Sequence, residues 1–170
     1  MNKKFLVIGS NSFSGAQFIK YLLENGINVI GVSRSNEIND VYLPYKWGNK
    51  KENFKFYPID INQQLAELVE ILNDFKPEYI VNFAAQGMVA QSWETPQDWY
   101  QTNVVGQVKL HDQLRKLKFI KKYVHVTTPE AYGSTDGWIK ESFNFAPSTP
   151  YAVSRAACDL HLMSFFKAYN

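Results

Sequence analysis

The stretch that decides the fold is Lys4-Phe5-Leu6-Val7-Ile8-Gly9, followed by Ser10-Asn11-Ser12-Phe13-Ser14-Gly15 and then by Ala16 to Asn25. Its first part is a short and almost wholly apolar run, which is typical of a buried parallel strand. Its last part has aliphatic residues on one helical face and stops at Gly26, a good helix-terminating residue. The sequence therefore predicts a strand, a loop rich in glycine and serine, and a helix.

The loop between this strand and this helix has the composition of an anion-binding turn. Such a loop directs free backbone N–H groups toward whatever lies above the helix N-terminus, and a pyrophosphate suits that position. Gly9 permits the tight turn, and Gly15 lets the helix and the strand pack closely. For a glycine pair alone, a tight turn without a ligand is the alternative interpretation.

Tyr151 and Arg155 are a second informative pair because they lie four residues apart in the last predicted helix. Positions i and i+4 share a face of a helix. A fixed cation beside a phenol favours the phenolate, and a tyrosine activated in this way can accept a proton from a hydroxyl. The alternative is an exposed cation beside a packed aromatic residue. The glycine-rich N-terminal stretch favours the catalytic interpretation.

Strands alternate with helices along the rest of the chain, which predicts an α/β fold with a parallel, doubly wound sheet. The further predicted strands are Asn28–Ser33, Lys55–Ile59, Tyr79–Phe83 and Lys122–Thr127. The further predicted helices are Gln63–Phe75, Pro96–Lys116 and one that begins near Tyr151. Residues Ser35–Asn53 are polar with scattered aromatics, and we expect an irregular surface loop there.

Composition limits the class of protein. The 170 residues suit one domain, and the net charge of +2 offers no basic surface for nucleic acid or a membrane. No run is long enough to span a bilayer, and the apolar run after Met1 is too short for a signal peptide. Cys158 is the single cysteine and is predicted to be inert packing; its isolation suits a reducing compartment, so we expect a cytoplasmic protein. The three histidines lack partners at ligand spacing, so no metal site is predicted.

The two motifs together resemble a known family. Gly9-x-x-Ser12-x-x-Gly15 with Tyr151-x-x-x-Arg155 is similar to the extended branch of the short-chain dehydrogenase/reductases, which holds nucleotide-sugar epimerases and dehydratases. Further segments that fit the same family are Asn82-Phe83-Ala84-Ala85-Gln86, Asn103-Val104-Val105-Gly106 and Thr127-Thr128-Pro129-Glu130-Ala131-Tyr132-Gly133. The resemblance covers essentially the whole chain and implies a Rossmann fold, with residues 1–170 as a dinucleotide-binding domain that carries the catalytic residues.

The resemblance also implies a nicotinamide cofactor. At the end of the second strand, Ser33-Arg34-Ser35 replaces the acidic residue that would bind the ribose 2′-hydroxyl of NAD, and an arginine with hydroxyls suits a 2′-phosphate. The sequence therefore favours NADP, with NAD as the alternative. The cofactor contacts that the resemblance implies are Gly9, Ser12, Phe13, Ser14, Gly15, Ser33, Arg34, Asp60, Ile61, Ala84, Ala85, Gln86, Tyr151 and Arg155.

The resemblance assigns catalytic roles to five residues. Tyr151, helped by Thr128, takes the proton of the sugar 4-hydroxyl while hydride passes to the cofactor. Arg155 holds the ribose and the phenolate charge, and Asn103 fixes the helix or a water near it. Arg155 stands where the family usually has lysine, and arginine cannot release a proton in the working pH range as a lysine-mediated relay requires. Glu130 is the base that removes the C5 proton during loss of water.

Glu130 separates the candidate reactions. A 4,6-dehydratase needs a carboxylate at this position, whereas similar epimerases usually carry a small residue. We therefore expect a nucleotide-sugar 4,6-dehydratase similar to GDP-mannose 4,6-dehydratases, which turns an NDP-hexose into an NDP-4-keto-6-deoxyhexose with internal hydride transfer through NAD(P). The alternatives are an epimerase or reductase of the same family and a non-catalytic dinucleotide-binding module, which Ser12 in a usual glycine position and Arg155 favour.

The last predicted helix has no cap signal before Asn170, and members of the family continue past this point. We therefore expect the C-terminal lobe that binds the nucleotide-sugar to lie outside this sequence. Dimers in the family usually pair the helices that here begin near Pro96 and Tyr151. We therefore expect a homodimer for the full-length protein.

Overall fold

The structure is a computed structural model that describes residues 3–48 and 51–169. Its described part divides into two compact units. The first unit runs through Ala84 and resumes at Lys116–Val126, and the second comprises Ala85–Arg115 and the residues from Thr127 onward. Three predictions fall partly or wholly outside the described residues. They concern the N-terminus at Met1, the open helix end at Asn170 and part of the 35–53 loop.

The first unit contains a parallel sheet. Across residues 3–48 and 51–169, five strands form it: β1 Lys4–Ile8, β2 Asn28–Ser33, β3 Phe54–Pro58, β4 Tyr79–Asn82 and β5 Lys122–His125. Their order is β3-β2-β1-β4-β5, and every pairing is parallel. The prediction of Asn28–Ser33 is confirmed at the same bounds, and the other strands differ from the predicted ones by one or two residues at their ends.

The sheet is doubly wound, as predicted. Helix α1 (Phe13–Glu24) connects β1 to β2 in one direction along the sheet, and α2 (Leu65–Phe75) connects β3 to β4 in the opposite direction. Because parallel crossovers are right-handed, helices that connect strands in opposite directions cover opposite faces. The strand order reverses between β1 and β4, and ligands in such sheets bind beyond the carboxyl ends of the strands at that point.

The segment after β2 differs from its prediction. A surface loop was expected at 35–53, but Leu43 is buried between two short 3₁₀ turns, and Pro44 and Tyr45 are buried in the second of them. Leu43 and Tyr45 join a core formed by α1 with residues of β1 and β2, including Val7 and Ile19. The prediction failed because apolar residues that are scattered in a polar sequence carry no regular period. Helix α1 buries them, and this partner cannot be read from the sequence of the segment itself.

The second unit contains the remaining helices. Helix α3 (Pro96–Tyr100) continues through a π-helical segment (Gln101–Gly106) into α4 (Gln107–Leu114), so the single helix predicted for Pro96–Lys116 contains a change of winding. The last helix, α5 (Pro150–Tyr169), begins one residue before its predicted start. π-Helical turns inside α-helices often mark functional sites. This one contains Asn103.

Among the residues that the structure describes, every helix is too short or too polar to cross a membrane.

Candidate cofactor-binding and catalytic sites

The turn after β1 requires glycine at two positions. Gly9 has a φ of +82°, and a Cβ there would lie 2.7 Å from the amide nitrogen of Ala84. A Cβ on Gly15 would lie 2.3 Å from the carbonyl oxygen of Gly9. A side chain at either position would overlap the backbone, which L-residues avoid. The turn therefore lies against the end of β4, where the strand order of the sheet reverses.

Ser12 uses its side chain to form the start of α1. Its hydroxyl donates to the carbonyl oxygen of Gly9 at 2.7 Å and accepts from the amide of Gly15 at 3.1 Å. This is the N-cap arrangement that serine favours, and it explains why α1 begins at Phe13 rather than at the predicted Ala16. The hydroxyl has one proton, and Gly9 accepts it. Serine here therefore stabilises the turn, and the amides of Phe13 and Ser14 begin the helix.

The end of β2 is locked to the same turn. Ser33 is buried, and its hydroxyl accepts from the amide of Asn11 at 2.9 Å and lies 3.2 Å from the hydroxyl of Ser10. The amide group of the Asn11 side chain donates to the carbonyl oxygen of Ser35 at 3.1 Å. Arg34 is exposed beside these fixed residues. Of the three residues expected to meet a 2′-phosphate, Ser33 thus has structural contacts, and Arg34 and Ser35 are exposed.

The ends of β3 and β4 carry the other predicted contacts of the first unit. The Asp60 carboxylate accepts from the amide of Asn62 at 2.8 Å, while Ile61 is buried. The Ala84 amide donates to the side-chain oxygen of Asn82 at 2.9 Å. These contacts fix the chain where it leaves each strand. The predicted set of cofactor-binding residues is divided between the units, since Ala85, Gln86, Tyr151 and Arg155 belong to the second.

In the second unit, Asn103 connects the segment at Gln86 to the start of α5. Its side-chain oxygen accepts from the Gln86 amide at 2.7 Å, and its side-chain nitrogen donates to the Gln86 carbonyl and to the Ser154 hydroxyl, both at 3.0 Å. Ser154 donates in turn to the carbonyl oxygen of Tyr151 at 2.7 Å. Asn103 was predicted to fix the helix or a water near Arg155. The structure gives it contacts to the helix at the residue before Arg155.

Tyr151 and Arg155 both lie in α5, four residues apart. Tyr151 is half-buried, and Arg155 has 3% of its surface exposed. Three residues after Arg155, burial raises the pKa of the Cys158 thiol to about 12, so the thiol stays protonated at neutral pH. A protonated thiol in the interior of the protein is not a nucleophile.

Thr128 and Glu130 share one turn after β5. The Thr128 side chain is the N-cap of the 3₁₀ turn Pro129–Tyr132 and accepts from the Glu130 amide at 3.3 Å. Thr128 is buried, and Glu130 is half-buried. An open cleft of about 630 Å³ lies beside this turn in the second unit. Its lining residues are Thr127, Thr128, Pro129, Tyr132, Glu141, Ser142, Phe143, Phe145 and Asp159.

Sequence reasoning missed two residues that contact this region. Thr127 donates its hydroxyl proton to the Asp159 carboxylate at 2.5 Å. Partial burial raises the pKa of Asp159, against the opposing effects of the Thr127 hydrogen bond and the Arg155 charge. The available signal was spacing, because Asp159 follows Arg155 by four residues and so lies on its face of the helix.

Known proteins resemble the chain along nearly its whole length. The family model described as GDP-mannose 4,6 dehydratase matches residues 6–170. A probable dTDP-glucose 4,6-dehydratase from Sinorhizobium fredii is 28% identical over 98% of the chain and 50% of its own length. A UDP-glucuronate 4-epimerase from Thermodesulfobacterium geofontis is 30% identical over 98% of the chain and 52% of its own length.

A solved structure agrees with the fold. The dTDP-glucose 4,6-dehydratase from Streptomyces venezuelae, with NAD bound, superimposes with a TM-score of 0.85 at 28% identity. The match covers 98% of this chain and 52% of that one. The chain thus spans about half the length of the relatives it matches. The relatives include both dehydratases and an epimerase, so they indicate a class of reaction rather than one activity.

Proposed function

Because this chain belongs to the GDP-mannose 4,6-dehydratase family of extended short-chain dehydrogenase/reductases, we propose that it is part of a nucleotide-sugar 4,6-dehydratase. The reaction converts an NDP-hexose into an NDP-4-keto-6-deoxyhexose and releases water. Membership of the family does not by itself identify the reaction, because the relatives include epimerases as well as dehydratases. It depends on one residue, Glu130, that distinguishes the two reactions.

Glu130 supports the dehydratase because it places a carboxylate in the turn Pro129–Tyr132, directly after Thr128 and Pro129. The Glu130 amide donates to the Thr128 hydroxyl, and the residue is half-buried in the turn that follows β5. Loss of water across C5 and C6 requires a base for the C5 proton, which a 4-keto group acidifies. Pro129 stands where some related dehydratases place an acidic residue. Glu130 therefore takes the C5 proton and returns a proton to the departing C6 oxygen.

Tyr151 is the proposed base for the sugar 4-hydroxyl. The Ser154 hydroxyl and Asn103 hold the first turn of α5, which carries Tyr151. Arg155 is buried one turn later in the same helix and carries a permanent positive charge. Because arginine keeps its proton, the Tyr151 proton has to leave by another route, such as a ribose hydroxyl or solvent.

The first unit fits a dinucleotide. Gly9 and Gly15 keep side chains out of the turn at the strand-order reversal, and the Phe13 and Ser14 amides begin α1 there, where a helix favours anions. When bound, a nicotinamide dinucleotide supplies the acceptor and donor of hydride. We propose NADP as the form bound, with NAD as the alternative. The exposed Arg34 supports NADP because its charge suits a 2′-phosphate.

A second candidate is a nucleotide-sugar epimerase. It is favoured by the 30% identity to a UDP-glucuronate 4-epimerase, which is slightly higher than the 28% identity to the dehydratases given above. Epimerisation at C4 uses the same Tyr151 chemistry but needs no base for C5. In that case Glu130 is a carboxylate without a chemical role.

The two candidates differ in the mass of their product. We propose to incubate the protein in its natural full length with NADP or NAD and a set of nucleotide-hexoses, and to follow the products by mass spectrometry. A dehydratase yields a product lighter by one water, whereas an epimerase yields an isomer of unchanged mass. A tight cofactor complex that turns over no nucleotide-hexose supports a non-catalytic binding module and contradicts both enzymes.

The proposed partners follow from the same family. We propose a nucleotide-sugar substrate, and a homodimer built on the helices that begin at Pro96 and Pro150. Cys158 is the single cysteine and is buried, in keeping with a protein of the reducing cytoplasm, which we propose as its location. Sedimentation of the full-length protein tests the dimer.

A further inference from the structure

One contact in the second unit joins the two segments to which catalytic residues were assigned. The Thr127 hydroxyl donates to the Asp159 carboxylate at 2.5 Å across 32 residues of sequence. Thr127 immediately precedes Thr128, and Asp159 lies in α5, four residues after Arg155. A hydrogen bond from a hydroxyl to a carboxylate is of the short, strong kind.

We propose that Asp159 is a positioning residue, which acts by holding Thr127 and thereby the turn that carries Thr128 and Glu130. The effects on kcat and KM that we expect from this role rest on the proposed function. The contact itself does not depend on which reaction the protein performs.

The position of Thr127 explains why such a contact is needed. Strand β5 ends at His125, so Thr127 lies beyond the last paired residue of the strand. The 3₁₀ turn that follows ends with a 3.0 Å bond from the Gly133 amide to the Glu130 carbonyl, whereas the bonds at its start are long, from the Glu130 amide to the Thr128 side chain at 3.3 Å and from the Ala131 amide to the Thr128 carbonyl at 3.4 Å. Bonds near the distance limit are weak. The shorter Thr127–Asp159 bond therefore anchors the entry to the turn on α5.

The helix side of the contact is well fixed. Arg155 and Cys158 precede Asp159 in α5 and are buried. Burial raises the pKa of the Asp159 carboxyl, and the nearby charge of Arg155 opposes that rise. A carboxylate held on a packed helix near a buried cation has little freedom to move. A reactive group misplaced by about 1 Å can lose about 10²-fold in rate, so this anchor bears on the chemistry.

The first test measures amide hydrogen exchange, which needs no turnover. We expect Thr127→Val and Asp159→Ala each to increase exchange at the amides of residues 130–133 by about tenfold or more, as loss of one charge-assisted hydrogen bond predicts. Thr127→Ser keeps the hydroxyl and should restore the wild-type rate. Unchanged exchange in both disruptive variants overturns the proposal.

Asp112→Asn is the matched control. Asp112 is a partly exposed acid on α4 of the same unit, and its carboxylate accepts from Arg115 at 2.6 Å. Its substitution removes one charge and one ionic partner without touching the turn. We expect unchanged exchange at residues 130–133 in this variant. A rise equal to that of Asp159→Ala indicates general loosening of the unit and overturns the specific role of Asp159.

The second test separates positioning from substrate contact, because Thr127 and Asp159 both line the cleft. With a nucleotide-hexose that the wild type turns over, we expect kcat to fall about 10- to 100-fold in Thr127→Val and Asp159→Ala while KM stays within about threefold. The double variant should lose no more than the worse single one, since both remove one contact. A raised KM with unchanged kcat overturns positioning and indicates direct binding.

The two proposals fail in different ways. If the wild-type protein dehydrates no nucleotide-hexose, the proposed function fails, and the exchange measurement still decides the role of Asp159. If the wild type is active but the variants match it in exchange and in kcat, the proposed function stands and the role of Asp159 is refuted.

Discussion

Asn103 forms hydrogen bonds with the backbone of Gln86 in both directions, accepting from its amide at 2.7 Å and donating to its carbonyl at 3.0 Å. The remaining donor of the same side chain reaches the Ser154 hydroxyl. One buried side-chain amide therefore forms hydrogen bonds with both a loop and a helix. The π-helical winding at 101–106 places this side chain in the middle of the long α3–α4 helix.

The first prediction concerns this buried amide. Asn103→Leu keeps a similar volume but leaves the backbone groups of Gln86 without their partner. We expect the free energy of unfolding to fall by roughly 2–4 kcal/mol, since each unsatisfied buried group costs about 1–3 kcal/mol. Urea titration followed by circular dichroism measures it. The control is Asn73→Leu, where an exposed side chain bonds the Val69 carbonyl, and its effect should stay within about 0.5 kcal/mol. Equal losses contradict the prediction.

The second prediction concerns the form of the cofactor. Arg34 is exposed next to the locked Ser33, and Arg34→Asp reverses its charge. We expect the affinity for NADP to fall by about one to two decades, the value of a charge-assisted contact to phosphate, and the affinity for NAD to change much less. Calorimetric titration with both cofactors measures the difference. An equal loss for both contradicts a 2′-phosphate contact.

The third prediction concerns the proposed base. Tyr151→Phe retains the ring of a half-buried residue and removes the hydroxyl. We expect cofactor affinity to remain within a few-fold and turnover of the nucleotide-sugar to be nearly abolished, because no group remains to take the 4-hydroxyl proton. Steady-state kinetics with a parallel binding titration checks both values. A variant that keeps most of its rate makes Tyr151 a packing residue.

The fourth prediction distinguishes a dehydratase from an epimerase. In Glu130→Gln the sugar should still be oxidised at C4, but glutamine cannot accept the C5 proton. Reduced nicotinamide should then accumulate, visible as absorbance near ~340 nm, while dehydrated product falls by roughly 10²–10⁴. The control is Glu94→Gln, an exposed carboxylate in the same unit, which should behave as wild type. Normal product from Glu130→Gln favours the epimerase.

The fifth prediction concerns stability in acid. His111 on α4 is buried and stacks on His161 of α5 with ring centroids 5.4 Å apart. Burial and the nearby His161 lower the pKa of His111 to about 3. Because the folded pKa lies below the unfolded value of about 6.5, the unfolded chain takes up the proton first, and stability is lost as pH falls below about 6.5.

The size of this effect follows from the same linkage. His111 should contribute about 2 kcal/mol to the loss of unfolding free energy between pH 7.5 and pH 5. The test compares urea unfolding of the wild type and of His111→Gln at both pH values. The variant should be less stable at pH 7.5 but lose about 2 kcal/mol less on acidification. The same pH dependence in both proteins refutes the assignment.

Local sequence determined the regular elements of the first unit. The apolar run before Gly9, the glycine spacing and the strand Asn28–Ser33 were all readable, because a buried strand and a tight turn impose residue types at adjacent positions. Alternation of strands and helices was sufficient to predict the parallel doubly wound sheet. The family motifs added which positions to consider for chemistry.

Only the tertiary structure decided how polar side chains are used. Sequence could not show that Ser33 bonds Asn11 or that Thr127 meets Asp159, because such partners are chosen by packing rather than by period. The burial of the 43–45 segment and the π-helical turn arise in the same way. A hydrogen-bonding residue is satisfied by whichever partner the fold brings near, and that partner can be many residues away in sequence.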